Sequence, residues 1–407
     1  MQRRDLLKWF GAVPLAGAGT YAGRVLAAPN APAKLLVVFL RGGYDAASLL
    51  VPASSDFYYE VRPNIAIPKP SADAGAAGAA IGLDADWALH PALKDSVYPL
   101  FQAGQAAFVP FAGTDDLTRS HFETQDTIEL GQAGGHRNYR SGFLNRLAAV
   151  LNGAAAGTGA SVPIAFTDQL PLIFQGDVEV PNVALRNAGK PALDERQSRI
   201  IAAMYGQRAL AKQVQEGFAT RGEIARNLVG EMAAANRNAV SAKGFELEAQ
   251  RIAALMRDKY QLGFIDVGGW DTHVGQGAAT GYLAGRFEEL GRGLARLAGE
   301  MGPAAWNRTV VVVVSEFGRT FRENGNRGTD HGHGTVFWVL GGGVKGGTVA
   351  GEQVALRAPT LFQNRDYPVL NEYRAVLGGL FARMYGLNAR QIDAVFPGTA
   401  AKGLGLV

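Results

Sequence analysis

Thr309 is followed by five consecutive valines, Val310 to Val314, and then by Ser315-Glu316-Phe317-Gly318-Arg319-Thr320. Five β-branched residues in a row disfavour a helix and are too apolar for a strand with one wet face. They fit a strand buried on both sides of a sheet. The run stops at a carboxylate, Glu316. A polar loop leads from there to Thr329-Asp330-His331-Gly332-His333-Gly334. In open α/β sheets ligands sit beyond the carboxyl ends of strands, so this stretch is expected to be one corner of a site.

The rest of the chain supplies matching pieces. Lys34 to Leu40 reads as an apolar strand ending in Arg41-Gly42-Gly43-Tyr44-Asp45, and Leu262 to Val267 as another running into Gly268-Gly269-Trp270-Asp271-Thr272-His273. Gln105 to Phe111 and Val336 to Leu340 are further strands, and Pro163 to Phe174 and Asp177 to Val183 read as β segments. Helices are expected over Pro91 to Gln102, from Ser120 to Leu130, over Phe143 to Leu151, from about Thr280 to Gly302, and over Glu372 to Tyr385. The pattern around 193–260 is helical throughout and too long for one globular helix. It is expected to be an insertion of several packed helices, with a cap over the site as one role for them. Alternating strands and helices imply an α/β fold: a central, mostly parallel sheet with helices on both faces.

Composition narrows the classes. At 47% hydrophobic and 19% charged, the 407 residues have ample material for a core. The formal net charge is +4, but Arg3, Arg4, Lys8 and Arg24 against Asp5 place +3 before residue 28, leaving +1 for the remainder. No nucleic-acid partner is expected on that basis. The absence of cysteine excludes disulfides, thiolate zinc sites and a cysteine nucleophile. Gln2-Arg3-Arg4-Asp5-Leu6-Leu7-Lys8 is a twin-arginine pattern, followed by a modestly apolar run from Trp9 to Gly23 and by Val25-Leu26-Ala27. A stable membrane span needs about 20 strongly apolar residues, whereas this run is short, rich in glycine and alanine, and contains Pro14. Residues 1–27 are therefore expected to be a signal peptide for the twin-arginine translocation machinery. A periplasmic protein, exported folded and beginning near Ala28, follows.

Three buried strands thus run into an acid beside glycine: Asp45, Asp271 and Glu316. Only six histidines are present, and three of them, His273, His331 and His333, fall in the motifs after two of those strands. Asp271 and His273, two apart in an extended segment, can turn the same way and hold one ion. With His331 or His333 they make a mixed oxygen and nitrogen site suited to zinc, manganese or iron. Asp45, Glu316 and Asp330 would form an oxygen-only neighbour closer to magnesium, manganese or calcium. Ser120-His121-Phe122-Glu123 has the form of a capping box. Ser120 at a helix N-terminus sits where backbone amides favour an anion, and an adjacent metal would prepare its hydroxyl for attack. Arg41, Arg119 and Arg319 flank these motifs and can clamp phosphate or sulfate oxygens. Plainer roles compete: Ser120 as an N-cap, Asp45 as a turn residue, the arginines as partners of the acids. His90, before Pro91, reads as a helix-entry residue, and His136 as part of a polar loop.

At these residues the chain resembles the exported family known as domain of unknown function 1501, a branch of the alkaline phosphatase-like, sulfatase-like superfamily. The matching stretches are Phe39 to Asp45, Leu89-His90-Pro91, Arg119 to Phe122, Gly269 to His273, Ser315 to Thr320, Gly328 to Gly332 and Phe396-Pro397-Gly398. The resemblance implies one alkaline phosphatase-like domain over residues 28–407 and one or two divalent metal ions, with zinc, manganese, magnesium and calcium left open. It implies Asp45 as the first-strand ligand, Ser120 at the nucleophile position, Asp271 and His273 on the first metal, Glu316 on the second, and His331 or His333 as the late histidine. The chain departs from that pattern at Phe317, which stands where active relatives carry a histidine, at Ala46, and in the closer spacing of Asp271 and His273. The function implied is a metal-dependent hydrolase of phosphate or sulfate esters, with Ser120, Arg41 and Arg319 at the reaction. The alternative is a non-catalytic, metal-stabilised envelope binding or assembly protein on the same fold, with an envelope glycan as a candidate ligand.

Overall fold

A computed structural model describes residues 33–73, 78–133, 137–154, 161–185 and 244–407, with the single positions 204 and 212. The expected signal peptide, His136 and most of the expected helical region lie outside the described residues. In chain order, β1 (Lys34–Leu40) leads to α1 (Ala46–Leu49), β2 (Leu50–Pro52), α2 (Asp56–Glu60), β3 (Ile81–Gly82) and β4 (Trp87–Leu89). Then come α3 (Val97–Gln102), β5 (Ala106–Gly113), α4 (His121–Leu130), α5 (Phe143–Ala154) and β6 (Pro163–Ala165). Beyond residue 243 follow α6 (Phe245–Asp258), β7 (Leu262–Val267), α7 (Tyr282–Trp306), β8 (Thr309–Ser315), β9 (Thr335–Leu340) and β10 (Thr348–Val349). β11 (Asn371–Glu372), α8 (Tyr373–Tyr385) and α9 (Ala389–Val395) close the chain.

The main sheet has the order β10-β5-β9-β8-β1-β7-β6, with β11 also beside β5. Pairing is parallel except along β9, which runs antiparallel to both β5 and β8. Only a loop joins β8 to β9, so β9 returns on the side where β8 ended; a parallel neighbour would have needed a long crossover. β2, β4 and β3 form a small antiparallel sheet.

Strand period sorts the core into two layers. Leu36, Val38 and Leu40 of β1 and Val311 and Val313 of β8 pack with Phe245 and Ile252 of α6 and Phe287 and Leu294 of α7. Leu35, Val37 and Phe39, with Val310, Val312 and Val314, pack on the other face against Leu144 of α5, Leu377 and Phe381 of α8 and Ile392 of α9. The valine run is therefore covered on both sides. The architecture is α/β, with a mostly parallel central sheet between helical layers.

Several local expectations are corrected. The expected Pro91–Gln102 helix is a 3-10 turn, Pro91–Leu93, followed by α3, with Ser96 at a non-helical φ of −125° between them. Of the β segments expected after Pro163, only β6 and a single bridge from Ala165 to Asn182 form, and Leu172–Phe174 is a 3-10 turn. α7 breaks at Gly302, whose φ of 67° is non-helical, just before Pro303, but helical turns continue to Trp306. The described part of the 193–260 region, α6, packs along α7 on a face of the sheet. No helix among the described residues is long and apolar enough to cross a membrane.

Register places the site. Leu40 pairs with both Val267 and Ser315, so β1, β7 and β8 end level. Segments 41–45, 268–273 and 316–319 leave the sheet together at its carboxyl edge. Thr335, opening β9, lies opposite Ala112 near the end of β5, which brings 114–120 and α4 to the same edge.

His90 is sealed behind this layer. Its Nδ1 accepts from the Ala92 amide and its Nε2 donates to the Ala278 carbonyl, both at 3.1 Å. Burial pushes its pKa down to about 4. Between about pH 6.5 and 4 the unfolded chain takes up a proton that the folded one refuses, so stability falls as pH falls through that window. The loss reaches roughly 3 kcal/mol at its lower end. Urea midpoints at about pH 7 and about pH 4.5 should differ less in His90→Asn, whose amide retains the cap, than in the parent; equal differences would contradict this assignment.

Candidate metal centre

Glu316, at the end of the valine strand, is completely buried. A carboxylate there must be solvated by the protein itself. The Gly42 amide (2.9 Å), Gln125 Nε2 (2.8 Å) and His121 Nδ1 (2.8 Å) all donate to its Oε1, while Ser315 Oγ lies 2.9 Å from Oε2 and 2.7 Å from the Leu40 carbonyl, with one proton for the two. Burial opposes ionisation, but the hydrogen bonds from His121 and Gln125 hold the Glu316 pKa below its ordinary value. Gly42 can reach in because it has no side chain: its φ is 124°, and a Cβ would lie 2.6 Å from the Asp271 amide nitrogen.

His121 and Gln125 are one turn apart on α4, so both face Glu316. Because an ionised carboxylate only accepts, His121 must donate from Nδ1, which leaves Nε2 as its lone-pair atom. That Nε2 is buried and has no hydrogen-bond partner. It lies 3.5 Å from Asp271 Oδ1. The same construction recurs twice. His331 Nδ1 donates to the Arg119 carbonyl at 2.9 Å, placing its Nε2 3.4 Å from Asp271 Oδ1. His273 Nδ1 donates to Asp330 Oδ1 at 3.2 Å, placing its Nε2 2.9 Å from Asp271 Oδ1 and 3.1 Å from His331 Nε2.

Three imidazoles, each held from behind at Nδ1, thus direct Nε2 towards one carboxylate oxygen. In His121, Asp271 and His331 the candidate ligand atoms lie within 4.8 Å of one another, and His273 adjoins them. Around a tetrahedral zinc with bonds of about 2.0–2.2 Å, donor atoms sit about 3.3 Å apart. The spacings of 3.4 and 3.5 Å match that, and two imidazole lone pairs facing each other at 3.1 Å need a cation or a proton between them. The unpartnered Nε2 of His121 points the same way. A nitrogen-rich set suits zinc, manganese or iron better than calcium, and the residues fit such an ion. Backing a ligating histidine with a carboxylate or carbonyl fixes its tautomer and raises its basicity. Accordingly the Glu316 hydrogen bond raises the His121 pKa, whereas burial lowers that of His331. Asp271 is desolvated in part, yet the hydrogen bond and charge of Arg319, 2.7 Å away at Nη1, hold its pKa down.

The expected site residues divide accordingly. Asp271, His273 and His331 come together, with Asp330 one step behind His273. Glu316 lies behind His121, and its Oε1 is taken up by three donors. Arg319 meets Asp271 and donates to the Thr329 carbonyl at 2.9 Å. Arg41 is consumed by Asp266 (2.7 Å), Glu129 (2.8 Å) and Gln125 Oε1 (2.9 Å). That last contact leaves Gln125 only its amino group to offer Glu316. Arg119 pairs with Asp366 at 2.7 Å, and its φ of 53° turns its carbonyl to His331. His333 is buried against Phe362, 4.9 Å between ring centroids, apart from the cluster. Asp45 is paired in the interior with Arg62 at 2.5 Å, not gathered with the histidines. Ser120 is the N-cap of α4: its hydroxyl accepts from the Glu123 amide at 3.5 Å, and the next side chain, His121, is the one that enters the cluster. His121 is the residue sequence reasoning passed over. Its shared helical face with Gln125 was the available signal.

These features define an α/β protein whose sheet edge carries a histidine and aspartate centre fitted to a divalent transition ion. The chain belongs to the family described as protein of unknown function (DUF1501), whose model matches residues 32–396. No curated protein matches in sequence. Among solved structures, the chain is similar to Ps i-CgsB in complex with k-i-k-neocarrahexaose, at 9% identity, over 89% of this chain and 74% of that one, with a TM-score of 0.36. It is also similar to a protein in the alkaline phosphatase superfamily from Vibrio parahaemolyticus, at 10% identity, over 77% of this chain and 61% of that one, with a TM-score of 0.31. At such scores neither likeness carries an argument about fold or activity.

Two substitutions separate the roles. Glu316→Gln should weaken zinc binding by about 10–100-fold, because a neutral amide oxygen replaces the carboxylate that raises the basicity of His121. Ser120→Ala should cost about 1 kcal/mol of stability as a lost cap while leaving zinc affinity unchanged. Calorimetric titration with zinc beside urea unfolding reads both, and the opposite pattern would put Ser120, not His121, at the metal.

Proposed function

We propose that the chain is a metal-dependent hydrolase of phosphate or sulfate esters that acts in the periplasm. The observation that carries this reading is the convergence of three Nε2 atoms on Asp271 Oδ1, with each ring anchored at Nδ1. When bound there, a divalent ion supplies Lewis acidity and concentrated positive charge. The chain's own groups do the rest of the positioning. Glu316, Asp330 and the Arg119 carbonyl hold the rings, and Arg319 shares the negative charge of Asp271. Asp271 and His273 remain partly open to solvent, with side chains 46% and 40% exposed, whereas Glu316 behind them is sealed, so an anionic ester reaches the centre from one side only.

In the reaction a water oxygen bonds to phosphorus or sulfur, and the bond to the alcohol oxygen breaks. A proton from that water ends on the departing oxygen, giving an alcohol and phosphate or sulfate. The ester class is supported by the resemblance of the motifs around Asp271, Glu316 and His331 to the alkaline phosphatase-like superfamily. Export is supported by Arg3-Arg4 and the weakly apolar run after them.

The second reading, a non-catalytic metal-stabilised envelope binding or assembly protein, is favoured by Phe317. Its ring lies 4.9 Å from that of His121 and 5.2 Å from that of His331, putting carbon where another ligand would strengthen a catalytic centre. A panel of phosphate and sulfate monoesters and diesters, assayed with zinc and with manganese, separates the two. The hydrolase reading expects turnover by the parent that falls about a hundredfold or more in His121→Ala. Metal-loaded protein that turns over none of the panel would leave the binding-protein reading.

A further inference from the structure

We infer that the centre takes one divalent ion rather than two, and that Arg62 supplies at Asp45 the positive charge a second ion would have brought. This rests on the metal reading above. A second, oxygen-only site would have to be built from Asp45 and Glu316, with Asp330 beside them, and the two buried acids are already committed.

Asp45 is met by Arg62 on both oxygens, Nη1 to Oδ2 at 2.5 Å and Nη2 to Oδ1 at 3.0 Å. Its Oδ2 also accepts from Ser48 Oγ at 2.6 Å and Gln276 Nε2 at 2.7 Å. Arg62 is itself wholly buried, with Nε donating to the Phe321 carbonyl at 2.7 Å and Nη2 to that of Thr320 at 3.1 Å. Its guanidinium lies 5.4 Å from the Tyr58 ring centroid and 5.7 Å from that of Phe321. Neither partner can turn to an ion without leaving the other as an unpaired buried charge, which is far costlier than keeping the pair. Such a bidentate guanidinium also fills the directions from which a cation would approach the carboxylate.

Glu316 offers no better opening, since three donors converge on its Oε1 and the carboxylate is completely buried. Asp330 spends Oδ1 on His273 Nδ1 and Asn324 Nδ2, and its half-exposed carboxylate alone does not make a second site. Nor is there electrostatic room for a second cation beside Asp271, because Arg319 already stands 2.7 Å from its Oδ1. The interior acids are therefore neutralised by guanidinium groups, and the nitrogen-rich ligands around Asp271 are left for one ion. Gln276 joins the two regions: it donates to Asp45, and its Oε1 accepts from Thr272 (3.2 Å) and Thr329 (3.0 Å), residues next to Asp271 and Asp330.

The test is metal stoichiometry in the full chain without its first 27 residues, purified without chelator. Zinc, manganese, magnesium and calcium would be quantified together after saturation and desalting, for the parent, Asp45→Asn and His121→Ala. The expected result is one ion per chain in the parent and in Asp45→Asn, with affinities within about twofold, and at least tenfold weaker binding in His121→Ala. Two ions in the parent, one of them lost in Asp45→Asn, would overturn the inference while keeping the metal reading. No retained ion in a folded parent would defeat the metal reading itself. If Asp45→Asn does not fold, the X-ray absorption of the zinc-saturated parent decides. Zinc–zinc scattering at about 3.5–4 Å contradicts the single ion, and its absence supports it.

Discussion

The hydrogen bond between Glu316 and His121 is the contact on which the arrangement depends. A strand of five valines delivers a carboxylate into the interior, where no water solvates it, so neighbouring segments must supply donors. They come from the end of β1 and from the helix that meets it there: Gly42 after β1, and His121 and Gln125 of α4. In satisfying Glu316, His121 is forced to spend its Nδ1 proton, and its remaining nitrogen faces Asp271. A structural requirement of the core thereby fixes the chemical state of a candidate ligand.

The same logic extends outward in layers. Arg41 holds Gln125 by its oxygen, which commits the amide nitrogen to Glu316. Arg62 neutralises Asp45, and Gln276 ties that pair to the backbone carrying Asp271 and Asp330. The buried charges of Asp45 and Arg62 are paired and hydrogen-bonded, the condition under which buried ions are tolerated. The groups that gather without full satisfaction, His121 Nε2 above all, lie at the partly solvated edge.

Much of the fold was legible. Apolar runs at 34–40, 262–267 and 309–315 could only be central strands, and level registers turn their ends into one edge. The antiparallel course of β9 depends on the absence of a crossover helix in the 316–334 loop, which residue pattern alone does not reveal. Within the site, acids and histidines at strand ends announced the region but not their ranks. Glu316 and Asp45 are both acids after buried strands, and only the donors around them show that each is already satisfied; Arg62 reaches Asp45 from an irregular segment after α2. His331 and His333, two apart, would face the same way in a regular strand. The chain there makes only an isolated bridge from His331 to Arg319, and Gly332 packs against the Arg319 backbone, so the two rings part. Ser120 drew notice as the serine of a capping box, and the structure places it there as N-cap while its neighbour His121 turns into the histidine cluster.

The most direct measurement is a crystal structure of residues 28–407 grown with zinc, with anomalous diffraction recorded across the zinc edge. The account predicts a zinc peak bonded to Nε2 of His121 and His331 and to Asp271, with His273 alongside, and with each histidine still donating from Nδ1 to Glu316, Arg119 or Asp330. A peak on Asp45 and Glu316, or histidine rings turned so that Nδ1 faces the metal, would contradict it.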